Sequence, residues 1–347
     1  MPAMKIRRIT TALIVAIMIS ASSTAQAQSA PVPLSAQLLD TRVRTEVASF
    51  KGKVFLFAKN LDTGETYSFN GDERVRTAST IKIAVLVEAF ARVAEGRAKW
   101  TDELVLTKAA RYSGSGVLQE LSDGLRLTLR DCVNLMMVVS DNTATNMVLD
   151  YLTTDAVNVR MSSLGFKGTR IMRRIGGGGE SKEGKEPDNK RFGLGATTPH
   201  EMVQILEKLE RGEIVGAAGS KEMIELMKRE QARYGIARTI WDVPMASKYG
   251  ALDRLRSGVA IVYAKKGKIA IAITVDDMPE INWSVDNPGY LLMSRLSEIL
   301  IDGLTTSRIQ STAGTTSRAP DPDSSFPDHT KLPVSIQKLV EFAKFLD

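Results

Sequence analysis

Histidine and cysteine are nearly missing from this chain. Its 347 residues include two histidines, His200 and His329, and one cysteine, Cys132. A single cysteine cannot close an internal disulfide, so no disulfide framework supports the fold. This supply of histidine and thiolate is too small for a typical zinc hydrolase centre, and we expect no cofactor and no metal. His329 lies in a Pro/Ser/Asp-rich stretch near the C-terminus. A Ser-His-Asp triad would therefore need His200 or a tail that folds back. A hydrolase built on this chain activates its nucleophile with something other than histidine.

Long apolar runs are scarce too. One unbroken run, Ala12 to Ile19, spans eight residues, too few to cross a bilayer as a helix. It follows Lys5, Arg7 and Arg8 and precedes Ala25-Gln26-Ala27. Positive segment, apolar segment and small-x-small site are the order of a secretory signal peptide. Residues 1–27 are read as that signal, with the mature chain starting at Gln28 in the periplasm or outside the cell. Losing Lys5, Arg7 and Arg8 lowers the net charge from +6 to +3. That mild charge, without a basic stripe interleaved with aromatics, gives no argument for nucleic acid. The length and a hydrophobic content of 43% allow a sizeable core.

Periodicity predicts a helix over 33–50, strands over 53–58 and 67–70, and a long helix over 79–95 closed by Gly96. Residues 100–165 read as helical. Residues 166–196, with four consecutive glycines (Gly176 to Gly179), read as a long loop, a feature often functional. Thr198-Pro199 opens a further helix and residues 221–231 form another. Strands over 246–251, 258–263 and 268–275 and a helix over 289–304 follow. The order predicts an α+β fold: a five-stranded antiparallel sheet flanked by helices, with an all-helical subdomain inserted over about 76–211. The catalytic domain is then 28–305, its α/β part formed by 34–75 and 212–305. Residues 306–347 read as a disordered tail with one short helix over 334–346.

Three short motifs carry the chemistry. Ser79 and Lys82 stand three apart at the start of the long helix, on one face, where unpaired amides favour an oxyanion. The plainer reading of Ser79 is a helix cap, and Ser335-Ile336-Gln337-Lys338 repeats the spacing in the tail. Ser140-Asp141-Asn142 lies between two helices. Its plainer reading is also a cap; its functional reading places the Ser140 hydroxyl and the Asn142 amide in a cleft. Lys248-Tyr249-Gly250 lies on a strand, where the lysine can attract a carboxylate and the glycine permits close approach to the backbone. Cys132 reads as a buried small hydrophobe and His200 as a first-turn surface residue.

Together, in this order, the motifs resemble the penicillin-recognising serine enzymes, and in wider context the class A β-lactamase-related proteins. Ser140-Asp-Asn-Thr-Ala-Thr-Asn146 and Thr197-Thr-Pro-His-Glu-Met202 also match. The resemblance covers roughly residues 34–305 and implies these roles. Ser79 is the acylated nucleophile and Lys82 a candidate base. Ser140 relays the proton to the leaving nitrogen, supported by Lys248. Asn142 orients Lys82 and the substrate amide. The amides of Ser79 and Ala251 form the oxyanion hole, Gly250 lets the acyl group approach, and Tyr112 borders the cleft.

Two departures stand out. Tyr249 replaces the usual Thr or Ser whose hydroxyl binds the substrate carboxylate, and Arg256 or Arg254 would take over that contact. The loop lacks the family's Glu-x-x-Leu-Asn, leaving Glu183 and Glu186 as candidate deacylation bases. The expected activity is a monomeric, exported serine β-lactamase conferring antibiotic resistance or β-lactam catabolism, acting on a β-lactam or peptidoglycan-like small molecule. One alternative is a D,D-peptidase-like or esterase-like penicillin-binding hydrolase with slow deacylation. Another is a non-catalytic periplasmic binding domain on the same scaffold.

Overall fold

The computed structural model describes residues 34–312; the expected signal, tail and tail helix lie outside them. The elements in chain order are α1 (Leu34–Ala48), β1 (Lys53–Asn60), β2 (Thr66–Phe69), β3 (Val75–Arg76), α2 (Lys82–Ala94), β4 (Glu103–Val105), β5 (Arg126–Thr128), α3 (Leu129–Val138), α4 (Asn142–Leu152), α5 (Thr154–Ser163), β6 (Arg170–Ile171), α6 (Lys182–Lys185), β7 (Gly195–Thr197), α7 (Pro199–Glu210), α8 (Gly216–Met227), β8 (Met245–Leu252), β9 (Leu255–Ala264), β10 (Gly267–Asp276) and α9 (Pro288–Thr312).

β1, β2 and β8–β10 form the expected five-stranded antiparallel sheet, in the order β2-β1-β10-β9-β8. β9 and β10 are runs of Val, Ile and Ala buried on both faces, as strands covered on two sides must be. Lys265 and Lys266 turn the chain between them, and Ala264 pairs with Gly267. Leu39 and Val43 of α1 and Leu292, Leu296 and Leu300 of α9 cover one face. On the other, Phe57, Ala246, Val259, Ile261, Ala270 and Ala272 pack into the core that also holds α2, α3, α4, α7 and α8. β8 is an edge strand, and its open side matters below.

α2 explains how the two halves join. Ten of its thirteen residues are buried. A helix apolar nearly all round has no solvent face and must lie inside. Lys82 and Glu88 are buried with it. Glu88 is ion-paired to Arg92 and Arg160, whereas Lys82 faces the site.

Two expectations need correction. Residues 100–128 hold no α-helix: they form the short ribbon β4–β5, one 3-10 turn at Leu118–Glu120 and connecting turns. Leu104 and Leu106 are buried there while Glu103, Val105 and Thr107 are exposed, an alternation of period two rather than a helical stripe. The closing helix also continues to Thr312, eight residues past the expected end at 304. The loop 166–196 contains β6, α6 and β7. Cys132 is fully buried, and burial pushes its thiol up to about 12, in keeping with a packing role.

Candidate active site

Ser79 does not cap the long helix directly. It lies in a one-turn 3-10 segment, Ala78–Ile81, and α2 begins at Lys82. Ala78, just before it, has φ +46°, in the left-handed region that L-residues with a Cβ avoid. Across the cleft Ser140 has φ +55°. Two such non-glycine residues at one site are the kind of strain that surrounding structure must hold in place.

The Ser140-Asp141-Asn142 motif serves as cap and site together. Asp141 caps α4, accepting from Ala144 N at 2.8 Å, and its other oxygen accepts from Val117 N at 2.6 Å and Leu118 N at 2.9 Å. This frees Ser140 and Asn142 to face Lys82. Lys82 Nζ donates to Ser140 O at 2.7 Å and lies 3.1 Å from both Ser140 Oγ and Asn142 Oδ1. Asn142 Nδ2 donates to Ser113 O at 2.8 Å, which leaves Oδ1 for the lysine.

Lys82 is fully buried. Burial first, and the charge of Lys248 second, hold its amine well below the usual lysine range; Asp141 and Glu230 oppose this. Its three partners are the Ser140 carbonyl and Asn142 Oδ1, which can only accept, and the Ser140 hydroxyl, to which Nζ also donates.

β8 forms the opposite wall. Lys248 is fully buried and ion-paired to Glu230. A Cβ on Gly250 would come within 2.6 Å of Ser79 N and 2.9 Å of the Ala78 Cβ. Only glycine lets the strand backbone approach the nucleophile turn so closely. Tyr249 N, on the open edge, donates to Glu230 Oε1 at 3.2 Å. Edge amides alternate in direction along an antiparallel strand, so the Ala251 N–H projects to the same open side as that of Tyr249. The Ser79 N–H opens its turn, where the first amides have no partner within the element. Ser79, Ser140, Asn142 and Ala251 are half-buried and Tyr112 is exposed.

The structure therefore brings together Ser79, Lys82, Ser140, Asn142, Lys248, Gly250 and Ala251. Four other expected residues lie elsewhere or are otherwise engaged. The Tyr249 side chain points to the opposite face of the sheet, into the core with Met293, and its hydroxyl accepts from Ala237 N at 3.0 Å. The pleat dictates this: Lys248 and Gly250 face the cleft, so the residue between them cannot. Arg256 is fully buried. It donates to Leu252 O at 2.5 Å and Leu255 O at 2.6 Å, also bonds Asn282 O, and packs against the rings of Trp283 and Tyr290 at 4.9 and 5.1 Å. Glu183 is held by Asn158 Nδ2 at 3.0 Å and Arg170 Nε at 3.5 Å. Glu186 is exposed. Neither glutamate enters the hydrogen-bond set around Lys82.

The part of the loop that reaches the cleft rim is instead Ile175-Gly176. Asn146 fastens it, donating to Ile175 O at 3.1 Å and accepting from Ile175 N at 2.9 Å. Gly176 abuts Tyr112: a Cβ there would come within 2.3 Å of its ring. Glu230 escaped the sequence reading. Periodicity places it in the 221–231 helix, but α8 ends at Met227, and a lone glutamate in a charged stretch carries no periodic signal.

A half-buried serine three residues before a buried lysine whose amine is held well below the usual range, with backbone amides on both sides, is the equipment of a serine acyl-transfer enzyme. The chain belongs to the family described as the Beta-lactamase enzyme family, whose model matches residues 37–304. It is 26% identical to β-lactamase CARB-3 of Pseudomonas aeruginosa over 268 residues, 73% of this chain and 88% of that relative. It is 26% identical to β-lactamase AER-1 of Aeromonas hydrophila over 246 residues, 67% and 77% of the two chains. Among solved structures, a β-lactamase from Sphaerobacter thermophilus matches with TM-score 0.68 and 27% identity, covering 79% of this chain and 98% of that one. PBP-A matches in fold, with TM-score 0.67 at 23% identity, covering 78% and 96%.

Proposed function

We propose that this protein is an exported serine β-lactamase that opens the β-lactam amide through an acyl-enzyme on Ser79. The observation that carries the reading is the fully buried Lys82, its amine held well below the usual lysine range and bonded to Ser140, at the start of the helix that follows the Ser79 turn. The Ser79 oxygen attacks the lactam carbonyl, and its proton passes to Lys82. The amides of Ser79 and Ala251 receive the developing oxyanion. The Ser140 hydroxyl, 3.1 Å from Lys82 Nζ, hands a proton to the leaving ring nitrogen and is reprotonated from Lys82. Lys248 adds positive charge on that side, and Asn142 orients Lys82 and the substrate amide. Water then cleaves the ester. Among the described residues no helix is long and apolar enough to cross a membrane.

The test is time-resolved intact-mass spectrometry of the mature protein with several β-lactams, beside Ser79→Ala. A mass gain of one β-lactam on the wild type alone, followed by its loss with turnover, is the expected result. Absence of both adduct and hydrolysis with every β-lactam sinks the proposal.

A second reading has its own support. The loop piece at the cleft rim carries Ile175 and glycine, while Glu183 and Glu186 are otherwise engaged or exposed. A site that acylates readily but lacks a loop carboxylate for the second step would be a D,D-peptidase-like or esterase-like penicillin-binding hydrolase. A penicilloyl adduct that persists in the same experiment decides for this reading.

A further inference from the structure

Glu230 is 5% exposed and lies three residues beyond the end of α8. Its contacts gather on β8: the ion pair with Lys248, the Tyr249 amide at 3.2 Å and the Ser247 hydroxyl at 3.2 Å. An edge strand offers free amides, and Glu230 occupies the one just upstream of the Ala251 amide. The residues beside it reach the other wall. Arg229 donates to Asn134 Oδ1 at 3.0 Å on α3, and Gln231 N donates to Val138 O at 3.0 Å, two residues before Ser140. Residues 229–231 are thus a strap from the end of α3 to the edge of β8, spanning both walls of the site.

We propose that Glu230 is a positioning residue for the acylation step. It holds Lys248 and the β8 edge in place, and supplies the negative charge that lets two buried lysines share one cleft. This rests on the acyl-enzyme reading above. The groups facing it are Lys248 and Tyr249 on β8; its field also reaches Lys82 on α2 and Tyr290 on α9. An unpaired buried ammonium is costly and moves or loses its charge. With Glu230 opposite, Lys248 keeps one geometry. Glu230 acts on Lys82 in two ways: its own charge favours the charged form, and by holding the Lys248 ammonium in place it maintains the larger opposing charge, so removing it displaces the pH at which Lys82 becomes a neutral base.

The test uses the mature protein and benzylpenicillin. The acylation rate is read by rapid quench and intact mass from about pH 5 to about pH 10, for wild type, Glu230→Gln and Glu230→Asp. Glu230→Gln is expected to slow acylation about 10- to 100-fold, because Lys248 and the oxyanion-side strand lose their fixed position. Its acid limb is expected to be displaced from the wild-type position. Glu230→Asp keeps the charge and recovers the wild-type acid limb with a rate between the two. A purely structural role would lower thermal stability without moving the acid limb. An unmoved limb in Glu230→Gln, or a wild-type rate, overturns the proposal. Should Glu230→Gln not fold, Glu230→Asp decides alone: slowed acylation at unchanged thermal stability supports the role, and a full rate, or a slowed rate that only follows lost stability, overturns it. A wild type that is never acylated overturns the acyl-enzyme reading itself. An acylated wild type with indifferent variants overturns only the role of Glu230.

Discussion

The cleft has two kinds of wall. One is built from the core: Lys82 opens the most buried helix, Lys248 sits on a strand of the main sheet, and Asp141 fixes the Ser140 turn with three backbone amides. The other is the 166–196 loop, which touches the cleft through Ile175-Gly176 and keeps its glutamates in ion pairs or in solvent. The first wall cannot change without unpacking the centre of the protein. The second is tied on by Asn146, Arg174 with Asp150 at 2.7 Å, and Thr154 with Gly179 O at 2.8 Å. Acylation thus depends on residues that the fold itself buries and positions. The loop contributes no glutamate to the hydrogen-bond set around Lys82.

This contrast can be broken from either side. The largest effect belongs to the nucleophile. Ser79→Ala removes the only step that makes an adduct and lowers turnover by at least about 10⁴-fold, with folding kept; a retained adduct by intact mass would contradict the assignment. Lys82→Ala follows, with a loss of about 10²- to 10⁴-fold in acylation rate. In the wild type the rate falls as pH drops through the Lys82 ionisation, because the ammonium cannot take the serine proton. Burial places that limb well below the ordinary lysine range. A pH–rate profile still rising through that ordinary range would refute a neutral Lys82.

Gly250→Ala probes the fit between strand and nucleophile. The added methyl meets Ser79 N and Ala78, so we expect a roughly 100-fold slower acylation and a stability loss of about 1–3 kcal/mol by thermal melting. The smallest effects fall on the loop. Glu186→Gln is expected to leave deacylation within about twofold, as befits an exposed side chain. Glu183→Gln, losing the pairing with Arg170, costs about 1 kcal/mol of stability and leaves deacylation equally unchanged. A strong deacylation defect in either would restore a loop carboxylate to the mechanism and erase the contrast.

Much of the first wall was legible in the sequence. Ser79-x-x-Lys82, Ser140-Asp-Asn142 and Lys248-x-Gly250 are short, local and set in recognisable elements, and the helix–sheet order gave the α+β class. Residues 100–128 were misread because a short ribbon with turns gives too few periods to distinguish from a frayed helix. The direction of Tyr249 needed only the two-residue alternation of a strand, taken together with the fact that Lys248 faces the cleft. Glu230, Arg256 and Glu183 were not legible, because their partners are distant in sequence: Lys248, Asn282 and Asn158 respectively.

The sequence by itself determined the chemistry that is available. With histidine and cysteine so scarce, the side chains left for the proposed proton transfers are serine and lysine, and three local motifs point to particular ones. Tertiary structure decided what that chemistry can use. Burying α2 between sheet and helices strips water from Lys82 and holds its amine well below the usual lysine range. The edge position of β8 opens the Ala251 amide to the cleft and brings Glu230 onto Lys248. Solvation and edge pairing are properties of neighbours far along the chain, and no local pattern encodes them.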